Sequence, residues 1–195
     1  MSANPTTSDK ILLAAIDLMA EKGYDGTTTK EISLAAGVNE VTLFRHFGTK
    51  EKLLEAAFNR FHYANEMEKL FSESLKGDLY ADLLLLSRTY HQIMNRNRKL
   101  LSIVLKGGSS LPDSVIQEAD RNPRHLKNLL VDYLTSMSAQ GKITASHPEI
   151  LAMSFMWMNY GAFISRLNAN EAVSDVALDE FIEESVRLFT KALTT

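Results

Sequence analysis

The chain is predicted to be all-α, and three observations predict it. Apolar residues recur three and four positions apart along most of its length, strand signals are absent, and helix-start signals cluster between Thr27 and Leu54. Three short N-terminal helices are expected ahead of a larger helical region, giving about nine helices in all.

The first helix is expected from about Ser8. Its Leu12, Ala15, Ile16 and Met19 follow the i, i+3, i+4, i+7 pattern, and Gly23 stops it. Thr28 and Glu31 have the spacing of a capping box, in which the Thr oxygen and the Glu carboxylate each satisfy an otherwise unpaired N–H. A second helix therefore begins near Thr29. It is short, because Gly37 follows Ala35 and Ala36 and supplies the permissive backbone at which one helix ends and the next turns in. Asn39 caps the third helix. There Leu43 and Phe47, four apart, face inward, which leaves Glu40, Val41, Thr42 and Arg45 free to face a groove. Thr49 is another N-cap and puts Lys50 in the first turn of a fourth helix. Leu53, Leu54, Ala57, Phe58 and Phe61 carry that helix onward, and the pattern extends through Tyr63 to Leu75. Two short helices around a Gly turn, with a third following at once, have the layout of a helix-turn-helix DNA reader.

Beyond this region Lys76-Gly77-Asp78 breaks the pattern and restarts it. Helices are expected from Asp78 to about Arg98 and from Lys99 to Lys106. Gly107-Gly108-Ser109-Ser110-Leu111-Pro112 is the strongest loop signal, and later helices are placed at Pro123–Gln140, Pro148–Leu167 and Asp175–Ala192. No internal repeat or low-complexity tract is visible.

The residues from Ala20 to Leu54 resemble the TetR/AcrR family of bacterial transcriptional regulators. The match lies in Ala20-Glu21-Lys22-Gly23-Tyr24, the Thr-rich helix start, Ile32, Ala36-Gly37-Val38, Thr42-Leu43-Phe44, His46-Phe47 and Lys50-Glu51-Lys52-Leu53-Leu54. The resemblance implies an N-terminal helix-turn-helix DNA-binding domain, placed at residues 1–55, and a C-terminal helical ligand-binding and dimerisation domain at 56–195. It also implies a cytoplasmic homodimer, a double-stranded operator and a small-molecule effector. Under that resemblance Thr28, Thr29, Lys30, Asn39, Glu40, Val41, Thr42, Phe44, Arg45, His46 and Lys50 form the DNA-binding set. Thr28 and Thr29 would bond the DNA backbone, Lys30 a guanine edge or a phosphate, and His46 and Lys50 phosphates. Val41 or the Thr42 methyl suits a thymine methyl. Glu40 departs from the common polar or basic residue: either it accepts from a cytosine amino group or it is a solvated charge. Phe44 stands where the family usually has Tyr, so that hydroxyl's phosphate bond is missing.

Net charge is −3 and the first sixty residues are slightly acidic, so DNA binding is expected to rest on a few phosphate contacts with marked salt sensitivity. Cysteine is absent, which excludes disulfides and thiolate metal sites. The polar start MSANPTTSDK carries no secretion signal. Ile150–Leu167 is apolar but interrupted by Ser154, Asn159, Tyr160, Ser165 and Arg166, so it reads as a buried helix and not a membrane span. In the resembled family the last two long helices pack against the same helices of a second subunit. The histidines form no helical metal-ligand pair, and the Gly107-Gly108 loop lacks a phosphate-binding lysine. No enzyme, metal or cofactor is expected. An effector pocket is sought among Tyr90, His91, Met94, Met153, Met156, Trp157 and Tyr160, which would suit a largely apolar ligand with a few polar anchors, although a Met or aromatic stripe at helical spacing is more often core.

Overall fold

The computed structural model of the chain describes residues 5–167 and 174–194; the first four residues of the polar N-terminal stretch lie outside them. Every regular element among the described residues is helical. In chain order these are α1 (Thr7–Lys22), α2 (Thr29–Ala35), α3 (Glu40–Phe47), α4 (Lys50–Arg60), α5 (Ala64–Lys69), α6 (Leu79–Arg96), α7 (Arg98–Gly107), α8 (Asp113–Ala139), α9 (Pro148–Ile164) and α10 (Leu178–Leu193).

The chain forms two compact units. One takes the residues up to His62 together with Asn97–Arg121, and the other takes Tyr63–Arg96 and the described residues from Asn122 onward. This division does not coincide with a cut at residue 55. The reason is packing: Leu100 and Ile103 of α7, with Leu111 and Val115, join Ile11, Ile16, Met19, Ile32, Leu43, Leu53 and Leu54 in a single buried cluster. Polar ties accompany it. Lys99 pairs with Asp17 at 2.7 Å, and Lys106 Nζ donates to the Ala20 carbonyl at the end of α1. Glu51 at the start of α4 accepts from the Ser114 hydroxyl.

Two helices differ most from what the sequence predicts, the other boundaries shifting by about a turn or less. The fourth helix stops at Arg60, and the chain resumes as α5, which runs into a π-helical turn over Leu70–Ser74. The eighth begins at Asp113, ten residues ahead of Pro123, which lies inside it. A proline removes one intrahelical hydrogen bond and disfavours helix in the preceding residue, so it reads as a start. Here Asn122, the residue before it, uses its side chain instead to accept from the Tyr63 N–H at 3.1 Å.

In the second unit α6 packs against α9 and α10. Leu83, Leu86, Ile93, Phe155, Ala162, Ile182 and Val186 are buried there. Asp82, buried at the start of α6, accepts from the Lys76 and Gly77 N–H groups and from the Tyr133 hydroxyl, at 2.8, 2.7 and 2.8 Å. Arg88 bridges α6 to α10 through Asp179 and Glu183.

Candidate functional site

The helix-turn-helix is assembled by its caps. Thr28 Oγ1 accepts from the Glu31 N–H at 3.2 Å, while Glu31 Oε2 accepts from the Thr28 N–H at 2.9 Å, which is the reciprocal box the sequence predicts. Lys22 pairs with the same carboxylate at 2.7 Å. The Lys22 ammonium first, then the Thr28 N–H and hydroxyl, hold the Glu31 carboxyl down at about 2. α2 ends at Ala35 with Ala36 as its C-cap, and Gly37 takes φ +68°. That left-handed backbone lets Val38 N–H reach back to the Ser33 carbonyl at 2.9 Å. Asn39 Oδ1 then accepts from Val41 N–H at 2.7 Å to start α3, and Thr49 Oγ1 from Lys52 N–H at 3.1 Å to start α4.

These anchors fix which face of α3 is free. Leu43 is fully buried and Phe47 packs on the same cluster, as their spacing predicts. Val41 is 73% exposed and Phe44 45%, and Arg45 and His46 are exposed; Thr42 is half-buried. Lys30 is exposed on the neighbouring α2. The structure thus brings Lys30, Val41, Thr42, Phe44, Arg45 and His46 to the accessible parts of α2 and α3.

Four of the nominated DNA-binding side chains, Thr28, Thr29, Glu40 and Lys50, have partners within the protein, and only the Thr28–Glu31 pair was foreseen from the sequence. The Thr28 hydroxyl donates to Glu31 Oε2 at 2.9 Å. The Thr29 hydroxyl donates to Glu40 Oε1 at 2.6 Å, so Glu40 is not a free solvated charge. Lys50 Nζ donates to the Tyr24 and Thr27 carbonyls at 2.9 and 3.1 Å and stands 4.1 Å from the centre of the Tyr24 ring. It braces the loop between α1 and α2.

The nominated effector residues divide. Tyr90, His91 and Met94 are buried on α6, Met153, Met156 and Tyr160 are half-buried on α9, and Trp157 is 66% exposed. His91 packs edge-on to Tyr90 and lies 6.4 Å from the Phe163 ring. Burial first, then the Arg166 charge, depresses its imidazole to about 4, and the nearby Asn159 opposes the shift. The Asn159 amide, however, donates to the Phe155 carbonyl at 2.9 Å, and neither His91 ring nitrogen has a hydrogen bond among the described residues. The hydroxyls of Ser87, one turn earlier, and of Thr190 on α10 are also buried with no partner among the described residues. Sequence reading missed Ser87 and Thr190, since a lone hydroxyl on a helix carries no signal of its burial.

Trp157 lies apart from these groups. With Met158, Gly161, Ala162, Arg166 and Phe181 it lines an open groove of about 530 Å³. Ile150, Ser154, Trp157 and Gly161 form one exposed stripe along α9. Leu188, 71% exposed, and Ala192 continue the line of Phe181 and Ser185 on α10. No helix among the described residues is long and apolar enough to cross a membrane.

Residues 11–57 match the family described as bacterial regulatory proteins, tetR family. The chain is 35% identical over 188 residues to the HTH-type transcriptional regulator YvkB of Bacillus subtilis, covering 96% of this chain and 97% of that one. Among solved structures it resembles NalD of Pseudomonas aeruginosa, described as the secondary repressor of the MexAB-OprM multidrug efflux pump. The TM-score is 0.77 at 19% identity, over 96% of each chain. It also resembles the regulator FadR of Bacillus subtilis, solved with stearoyl-CoA, with a TM-score of 0.72 at 18% identity over 93% of this chain and 96% of that one.

Proposed function

The chain belongs to the TetR family of bacterial transcriptional regulators, and from that premise we propose that it is a cytoplasmic homodimeric repressor released from a palindromic operator by a small, largely apolar effector. The observation that carries the DNA-binding part is the exposed face of α3, held between the Asn39 and Thr49 caps with its inner side locked by Leu43. DNA binding belongs to residues 1–55, and effector binding and dimerisation to 56–195.

Each residue has a role in this reading. Val41, Thr42 and Arg45 meet base edges, with Phe44 against the sugar-phosphate wall. Lys30 meets a guanine edge or a phosphate, and His46 a phosphate. Lys50 lends its charge to a phosphate while bracing the turn beneath it. Two recognition helices then enter successive major grooves about 34 to 36 Å apart.

Dimerisation is supported by the matching apolar stripes on α9 and α10. Nothing lies within 4 Å of where a Cβ would stand at Gly161, which leaves room for close approach of a second copy. The effector region is supported by His91, set against Tyr90 and Phe163, and by the Ser87 hydroxyl one turn earlier, neither of which has a hydrogen-bond partner among the described residues, since an incoming polar group gains a hydrogen bond where none is made. NalD and FadR are a repressor and a regulator solved with an acyl-CoA, which fits an apolar effector. An effector that prefers the non-binding state lowers operator affinity ~5 to 150 fold for a coupling of about 1 to 3 kcal/mol.

Selection of duplexes from a random pool by the purified protein, at about 0.15 M salt, tests the operator reading. An inverted repeat is expected to emerge. A folded protein that enriches no sequence, with and without candidate effectors, overturns it.

A further inference from the structure

We infer that Thr29 is a positioning residue for Glu40, and that the pair commits each operator half-site to a cytosine. The inference rests on the operator reading above and deepens it.

One hydrogen bond joins the two helix starts. Thr29 is the first residue of α2 and Glu40 the first of α3, and the Thr29 hydroxyl reaches Glu40 Oε1 at 2.6 Å. The bond ties the supporting helix to the recognition helix across the turn. A glutamate side chain at a helix start is ordinarily mobile, and ordering it on contact with DNA opposes binding. Here Thr29 orders it beforehand. One carboxylate oxygen is engaged, and Oε2 is left for an incoming donor.

The chemistry of a carboxylate then selects the base. It only accepts hydrogen bonds. In the major groove guanine shows two acceptors and thymine an acceptor and a methyl, so neither suits it. Adenine offers its N6 amino group beside the N7 acceptor, which repels the carboxylate. Cytosine offers the N4 amino group with no acceptor on its own major-groove edge, the nearest being O6 of the paired guanine. The negative charge also disfavours any drift of this side chain toward phosphate. Because the Thr29 proton is donated to Glu40, it is not available to a phosphate oxygen, so Thr29 acts on base choice and not on backbone affinity.

The test is random-duplex selection with the wild type, Glu40→Gln, Thr29→Val and Thr29→Ser, each shown folded by its melting midpoint. The wild type is expected to prefer cytosine about tenfold at one position of each half-site. Glu40→Gln should move that position alone to adenine, because glutamine both donates and accepts. Thr29→Val should flatten the cytosine preference to about twofold while leaving the other positions and the salt slope unchanged, and Thr29→Ser should restore it. A repeat that is identical for wild type and Glu40→Gln overturns the inference while leaving the operator reading intact. A salt slope that falls in Thr29→Val with base preference unchanged makes Thr29 a phosphate contact and overturns its positioning role. Enrichment of no sequence by any of the proteins overturns the operator reading and this inference with it.

Discussion

Between Thr27 and Leu54 the side chains of Thr28, Asn39 and Thr49 each accept a backbone N–H within three residues, whereas on α6 and α10 the polar atoms of Ser87, His91 and Thr190 are buried with no partner among the described residues. The first arrangement makes a reader whose shape is fixed locally and owes nothing to a ligand. The second leaves polar groups in an apolar interior, each costing about 1 to 3 kcal/mol until something bonds it. The apolar stripes of α9 and α10 are likewise uncovered in the single chain. The helix-turn-helix therefore has its cap hydrogen bonds made, whereas the other unit keeps exposed stripes on α9 and α10 and buried polar atoms with no partner among the described residues.

The largest expected effect breaks the second region. Trp157→Glu combined with Leu188→Glu puts charge on both stripes, and sedimentation should show a monomer. Operator affinity should fall ~100 to 10,000 fold, the advantage that linking two readers supplies. A variant that remains dimeric removes these stripes from the interface.

The pH profile comes next. The His91 imidazole is depressed in the fold to about 4 from its ordinary 6.5, so the unfolded chain binds its proton at higher pH than the native one does. Stability is complete above about 6.5 and falls as pH drops from there to about 4, by at most about 1.4 kcal/mol per pH unit from this group. Chemical denaturation across that window should show a shallower fall for His91→Phe than for wild type. Parallel curves would mean that His91 is not the group responsible.

Lys50→Ala sharpens the first region. Affinity should fall for all duplex sequences alike and the salt slope should drop by about 1, with some loss of stability as the Tyr24–Thr27 turn loses its brace. Reduced stability with an unchanged slope would confine Lys50 to bracing.

The smallest effects carry the contrast in their sign. Thr28→Ala removes a capping box and should cost ~1 kcal/mol of stability. Ser87→Ala removes a buried hydroxyl that bonds nothing and should be neutral or stabilising by up to about 1 kcal/mol. Equal losses from both would erase the distinction between the two regions.

The same contrast explains what the sequence disclosed. Caps act over two or three residues, so Thr28 with Glu31, Asn39 and Thr49 could be read directly, and the bounds of α2 and α3 followed. Joining α7 to the helix-turn-helix depends on Leu100 and Ile103 meeting α1 some eighty positions away, and no local pattern announces that partner. Pro123 misled in the other direction, because its local preference for a helix start yielded to the longer α8. On α3, exposure of Val41 and Arg45 followed from the inward spacing of Leu43 and Phe47. The bond between Thr29 and Glu40 did not, since it joins two helix starts across a turn whose geometry the residues alone do not specify.

The most direct test of the account is sedimentation of the protein with a single duplex carrying the enriched repeat, at about 0.15 M salt. Two chains per duplex, with a scrambled duplex left unbound at the same concentration, is the predicted result. One chain per duplex, or equal binding to the scrambled sequence, would contradict it.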